Sequence, residues 1–406
     1  MRQDPARLRF EIVAREGSAR AGILHTPHGP VETPAFVPLA TRGSVKGLSS
    51  ADLASLGFEM ILGNTYHLML APGEELLAEL GGMHGFAGWD RALISDSGGF
   101  QVFSLAHGGV ADEIKGRRGG RSSHGSVLSI GEDGVAFRSY LDGSPQLLTP
   151  QRSMAVQAAI GADIALVFDE CTPFHADFDY TAASTERTHR WLDRCLRWHG
   201  EHGPSDQAVY GIVQGGVYPE LRARSVERVA AAAVDGIAIG GTLGRDKPQM
   251  RAVLAATLPQ LPVAAPRHLL GIGEPDDLID SIGLGIETFD CAVPTRLGRH
   301  GVALGPDPER RYRFEVAKAR YARDPAPLVD GCPCPTCAGH SRAYLRHLAK
   351  IGEITAARLL TIHNLAYTKA LVEGARAAIV GGRFAAYAGA IRAGETPWQA
   401  TAPVPS

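Results

Sequence analysis

Several strand-like apolar runs in this chain stop on a polar residue or a glycine, and a helical pattern follows most of them. Arg91–Ser95 stops at Asp96, Ile164–Phe168 at Asp169 and Val209–Val213 at Gln214. Gly236–Ile239 stops at Gly240-Gly241, His268–Gly271 just short of Gly273, and the run before Cys291 at Asp290. The spacing predicts helices over Pro150–Ile160, Thr181–His199, Pro219–Ala233, Met250–Leu258 and Asp276–Ile282. Repeated strand–helix units of this length predict an α/β chain whose parallel sheet closes into a (β/α)8 TIM barrel. In such a barrel the strand ends converge on one mouth. Polar residues at several of those ends are hard to explain as packing, and a coincidence of turn formers is the weaker account.

The flanks have another rhythm. FEIVARE, ARAGILHTPHG and PVETPAFVPLA alternate between turns with Gly and Pro, which predicts an N-terminal antiparallel sheet over 1–40 capping a barrel at 41–310. Ser50–Leu56 is expected to be helical, with Ser49 or Ser50 as N-cap, and Met60–Leu62 a short strand. The stretch 107–133, rich in Gly, Arg and Ser, is expected to be a mobile loop. Its arginines could touch a phosphate backbone, or it is a plain insertion. A metal-binding subdomain with C-terminal helices is expected over 311–395, and a tail over 396–406 that frays after Gln399.

With 406 residues and 45% hydrophobic content the chain can bury a large core. Its formal net charge of −2 means that nucleic-acid contact must come from a local patch. The start, MRQDPARLRFEIVAREG, has no apolar signal core, and no apolar run is long enough for a membrane span. Three of the six cysteines fall within 332–337, which is metal spacing and not a disulfide framework. A cytoplasmic enzyme is the simplest expectation.

The stretch Gly283–Gly301, GLGIETFDCAVPTRLGRHG, places a carboxylate where an apolar run opens into a basic turn. Asp290 is read as a nucleophile, with Arg296, Arg299 and His300 holding a polyanion against it. Taken alone, the stretch would fit a turn-forming Asp on a solvated loop. Cys332, Cys334 and Cys337 supply three thiols, and tetrahedral Zn2+ needs a fourth ligand. His340, His347 and His363 follow. His340 is close enough to strain the knot, and His347 sits in a helical pattern as a surface residue would. A ligand from a second, packed helix would tie the appendage together, which favours His363. Saturated by protein ligands, such a zinc is structural.

Taken together, these stretches resemble one family. They are LGNTYHLMLAPG at 62–73, SDSGGFQVF at 95–103, FDECTP at 168–173, GIVQGG at 211–216, Phe289-Asp-Cys with Pro294-Thr-Arg, and the cysteine cluster with Thr361-Ile-His-Asn. The chain resembles the bacterial tRNA-guanine transglycosylases (queuine tRNA-ribosyltransferases) from about Phe10 to Ala390. The resemblance implies a zinc-containing TIM barrel that exchanges guanine for a 7-deazaguanine at the anticodon wobble position of tRNA. It implies Asp290 as nucleophile, Asp96 as general acid/base, and zinc on Cys332, Cys334, Cys337 and His363. It implies a base site of Asp96, Ser97, Gly98, Gly99, Phe100, Asp169, Cys171, Gln214, Gly240 and Gly241, with Phe100 stacked on the base. RNA contacts are expected at Gly271, Gly273, Asp277, Thr295, Arg296, Leu297, Gly298 and Arg299. Lys46, Arg342 and Arg346 are further candidates, or solvated surface charges. The partners implied are tRNA, guanine or a 7-deazaguanine, and a second copy of the chain.

The family pattern Gly-Gly-Leu-Ala-Val-Gly-Glu is here Gly240-Gly-Thr-Leu-Gly-Arg-Asp246, one residue shorter and without the Glu that helps accept the aminomethyl group of the incoming base. Asp246 is the candidate replacement. Two rival expectations keep the fold: a non-catalytic partner subunit, against which Asp96 and Asp290 both survive, and a DNA substrate.

Overall fold

The structure is a computed structural model that describes residues 7–106, 127–172, 176–241 and 243–401. Its central sheet is parallel and closes into a barrel. Around the ring lie Met60–Gly63, Ala92–Ser95, Ile164–Leu166, Ala208–Val213, Gly236–Ile239, Arg267–Leu269 and Thr288–Asp290. The ring is completed by Ala35–Val37, paired with Thr288–Asp290, and Leu39–Ala40, paired with Met60–Gly63. These two pieces are one strand interrupted at Pro38, which lacks an N–H for the ladder but whose carbonyl still accepts from Leu62 N at 2.9 Å. The expected (β/α)8 barrel is therefore present. Its strands read MILG, ALIS, AVYGIV and GIAI and are buried throughout, as runs covered by helices on one face and packed inside the barrel on the other must be.

Local signals set the helix ends. Ser49 and Asp52 form a capping box on Ser50–Ser55. Thr149 caps Pro150–Ile160, and Gly161 ends that helix in the left-handed region. The helix expected from Thr181 starts at Phe178 because Asp177 accepts from Tyr180 N, and it runs to His202.

Three corrections follow. The antiparallel sheet, Arg9–Glu16, Ala19–Thr26 and Gly29–Thr33, ends at Thr33, so the last third of PVETPAFVPLA belongs to the barrel. The stretch expected to be a loop contains Val127–Gly131, which pairs with Gly134–Arg138 and, through it, with Pro145–Leu148. Residues 107–126 of that stretch lie outside the described residues. The tail keeps order past Gln399: a Thr396/Gln399 capping box starts the Pro397–Ala400 helix, and Trp398 Nε1 donates to Asp330 O, while residues 402–406 lie outside the described residues.

The antiparallel sheet closes the bottom of the barrel. Arg20 donates to Val263 O at 2.7 Å and Ala265 O at 3.1 Å and pairs with the fully buried Glu287, just ahead of the last strand. At the other end of the chain, Ile354–Val380 packs beside Ala35–Val37 and the Pro275–Gly283 helix. That is the place of the helix that follows the eighth strand, so residues 291–353 form an insertion between that strand and its helix. The insertion has its own small core of Ala303, Val316, Leu328, Val329 and Leu345 around the three cysteines, closed by Leu360 of the Ile354–Val380 helix. A core of that size rarely holds a fold without a staple.

Candidate active site

Asp96, Asp169, Gln214, Gly240-Gly241, Gly271 and Asp290 all follow or end parallel strands of one barrel, so the closed ring brings them to one mouth. Asp96 is held by a neighbouring strand end. Asn64 Nδ2 donates to its Oδ2, and Thr65 N and Gly98 N donate to its Oδ1 at 3.0 and 3.1 Å. Burial pushes its carboxyl up to about 7. Those donors pull against burial, while the nearby charge of Asp290 adds to it. Among the described residues Asp290 is held on one oxygen only: His268 Nε2 and Gly271 N each lie 3.1 Å from Oδ1. The two carboxylates thus lie close to one another in unlike settings, Asp96 raised to about 7 and Asp290 buried and pinned by two donors on one oxygen.

Asp169 lies deeper. Ser97 Oγ donates to its Oδ1 at 3.0 Å and Gln214 Nε2 to its Oδ2 at 2.6 Å. Burial lifts it to about 6, and those two donors hold it down. Gln214 is fully buried and its Oε1 has no partner among the described residues. Gly241 has φ +78°, and a Cβ there would stand 2.4 Å from that Oε1, so only glycine leaves this wall open. The Gly241 N–H bonds the Cys171 sulfur, whose thiol burial pushes up to about 12. Beneath them lies Arg222, buried, donating to Gly216 O at 2.8 Å and Val213 O at 3.0 Å, its Nη2 without a partner among the described residues. Phe100 is 44% exposed and has no ring partner among the described residues.

Cations group beside the mouth. Lys46 is lowered by burial and then by Arg299, Arg42 and Arg296, all close enough to repel it. Arg296 and Arg299 are exposed on the Val293–Arg299 helix, where Leu297 is half-buried. The other expected RNA contacts differ. Asp277 is buried against Lys247 at 3.0 Å. Thr295 is buried and donates to Ala292 O, Gly273 packs on Cys291, and Gly298 packs on Thr361. Arg342 is bound to Asp324 and Leu328 O, and Arg346 to Lys318 O.

Asp246, the candidate replacement for the missing Glu, is a helix cap. It caps the Lys247–Thr257 helix, accepting from Gln249 N at 2.9 Å, and its side chain is 48% exposed, as Arg245 is at 73%. Thr242 lies outside the described residues.

Cys332, Cys334, Cys337 and His363 are buried with their ligand atoms within 4.8 Å of one another. His363 Nδ1 is 3.8, 3.6 and 3.4 Å from the three sulfurs, and its Nε2 donates to Leu304 O at 2.9 Å. That carbonyl leaves the Nδ1 lone pair facing the thiols, the arrangement of a metal-bound imidazole. The donor set fits a metal ion. His340 stacks on Tyr344 and His347 is exposed, both outside the cluster.

Asn64, Thr65, His268 and Arg222 were not singled out from the sequence as site residues. The signal for His268 was a polar residue within a barrel strand, directly across from Thr288. Among the described residues no helix is long and apolar enough to cross a membrane.

The profile of the family described as Queuine tRNA-ribosyltransferase matches residues 15–395. The Queuine tRNA-ribosyltransferase of Roseiflexus sp. (strain RS-1) is 51% identical over 389 residues, 93% of this chain and 97% of that protein. A Thermus thermophilus protein of that name is 46% identical, covering 94% of this chain and 92% of its own length. The Symbiobacterium thermophilum one is 43% identical, with 94% and 90% covered. At this identity over nearly the whole length, the chain belongs to the queuine tRNA-ribosyltransferase family.

Proposed function

We propose that this chain is a tRNA-guanosine(34) transglycosylase of queuosine biosynthesis. It exchanges guanine at the wobble position of tRNAs with GUN anticodons for a 7-deazaguanine, 7-aminomethyl-7-deazaguanine being the base we assign. The observation that carries the mechanism is the pair of unlike carboxylates at one mouth. Breaking an N-glycosidic bond builds positive charge at C1′, which a carboxylate on one face traps as an ester. Asp290 does this. Asp96, near its titration point at neutral pH, gives a proton to the leaving guanine and takes one from the incoming base. A second displacement restores the configuration, so the exchange needs no external energy.

Guanine offers N1–H and N2–H donors on one edge, and Asp169 has two acceptor oxygens for them. Ser97 and Gln214 donate to those same oxygens. Guanine would take their place and free Gln214 Nε2 for its O6. The exposed Phe100 ring would recover part of the cost of flipping the base, about 1–3 kcal/mol. Lys46, Arg42, Arg296 and Arg299 would meet the phosphates of the anticodon loop. Zn2+ on Cys332, Cys334, Cys337 and His363 holds the insertion together. The enzyme acts in the cytoplasm as a homodimer.

Labelled guanine exchange on tRNA and on duplex DNA tests the substrate. We expect incorporation into tRNA alone, and none with Asp290→Ala. Retained exchange in that variant ends the mechanism.

A further inference from the structure

The base exchange gives no task to the residue that touches Asp290 most directly. His268 is fully buried in the Arg267–Leu269 strand, and register sets it against Thr288 of the next strand. Its Nε2 is 3.1 Å from Asp290 Oδ1 and its Nδ1 is 2.9 Å from Thr288 Oγ1. An ionised carboxylate only accepts, so Nε2 carries the hydrogen. In the neutral ring Nδ1 then holds a lone pair, which the Thr288 hydroxyl fills, and that bond selects the tautomer. Gly271 N donates to the same Oδ1 at 3.1 Å, while Oδ2 receives no hydrogen bond from the described residues.

We propose that His268 is a positioning residue that sets the two oxygens of Asp290 to different work. Oδ2 bonds C1′, and Oδ1, held by two donors, takes the charge when the carboxylate leaves. This rests on the double displacement proposed above. In the first step Oδ2 attacks C1′, the C1′–N9 bond breaks, and N9 takes the electron pair and a proton. In the second, N9 of the incoming base gives up its proton and attacks C1′. The C1′–Oδ2 bond breaks and its electron pair returns to the carboxylate. Donors on Oδ1 stabilise the carboxylate that attacks in the first step and the carboxylate that forms in the second. They restrain the attack and favour the departure. Loss of the His268 donor must therefore act unequally on the two steps, whereas a merely space-filling residue would slow both or neither.

The test uses the full-length, metal-loaded enzyme, an anticodon stem-loop RNA and guanine. Formation and breakdown of the covalent adduct are followed by rapid quench and intact mass. Wild type should carry RNA on Asp290. His268→Leu should release it to added guanine about 10–100-fold more slowly, the effect of one hydrogen bond to a charged group, while adduct formation changes less. His268→Gln, which keeps an amide N–H, should restore most of the release rate, and Thr288→Val should fall between. Should the Leu variant fail to fold, the Thr288→Val variant carries the test alone. Equal slowing of both steps, no rescue by Gln, or wild-type release in Thr288→Val overturns the proposal. No adduct at Asp290 in wild type defeats the double displacement itself, a result distinct from any of these.

Discussion

Asp96 and Asp290 are the same residue type separated by their surroundings. Burial raises Asp96 to about 7, so near neutral pH it exists in both forms, as a group that first donates and then accepts must. With protonated Asp96 needed to expel guanine, kcat/KM for RNA should fall as pH rises through about 7. Asn64→Ser removes the side-chain donor on the carboxylate but keeps a capping hydroxyl for the Thr65–Leu70 helix. The pKa should rise further, and the alkaline limb should move to higher pH; a limb that stays in place would assign the titration to another group. Stability follows with a definite sign. A carboxyl raised in the folded state favours folding below its ordinary value near 4, and that contribution is lost as pH climbs through about 7. Asp96→Asn should therefore gain stability over wild type across that range. Asp96 and Asp290 were legible in the sequence because each ends an apolar run. Their keepers were not: Asn64 and Thr65 stand 32 and 31 positions before Asp96, and His268 stands 22 before Asp290, so only strand pairing brings them together.

At the scale of elements, the mouth depends on a helix–helix contact beyond it. The Val293–Arg299 helix follows Asp290 directly and carries the cationic side chains Arg296 and Arg299. Gly298 lets it lie on the Ile354–Val380 helix, since a Cβ at 298 would stand 2.7 Å from Thr361 N. Asn364, one turn further along, fastens the contact. It donates to Pro294 O and Val302 O at 3.0 Å each and accepts from Leu304 N at 2.8 Å. Gly298→Ala should cost about 1–3 kcal/mol, the usual penalty for overpacking, read as a lower Tm. It should also raise KM for tRNA with little change in guanine binding. An unchanged Tm would mean that the two helices part without cost. Helices with strong caps and period were legible almost to the residue, as at Ser49 and Thr149. Val127–Arg138 was not, because Gly131 and Gly134 beside a Gly/Arg/Ser run look like loop. What makes it a sheet is distant: Glu132 pairs with Arg190, and its carbonyl accepts from Trp191 Nε1 at 2.9 Å.

At the scale of the molecule, the insertion and the barrel mouth are one mechanical unit. His363 and Asn364 are consecutive on one helix. The first faces the thiols and bonds Leu304 O; the second holds the segment leading from Asp290 to Leu304. A metal bound at the four-ligand cluster therefore braces the side of the mouth that carries Arg296 and Arg299. The base pocket of Asp169, Gln214 and Gly241 is built on other strands, and Arg222 braces it from below. Stripping the metal with a chelator should thus divide the activities. Tm should drop and KM for tRNA should rise, while calorimetric guanine binding persists at temperatures below the new transition. His363→Ala should do the same without chelator, since it removes both a ligand and the bond to Leu304. Loss of guanine binding in step with the metal would show that the barrel does not stand without the insertion, and the division drawn here between a bracing half and a base-reading half would fall.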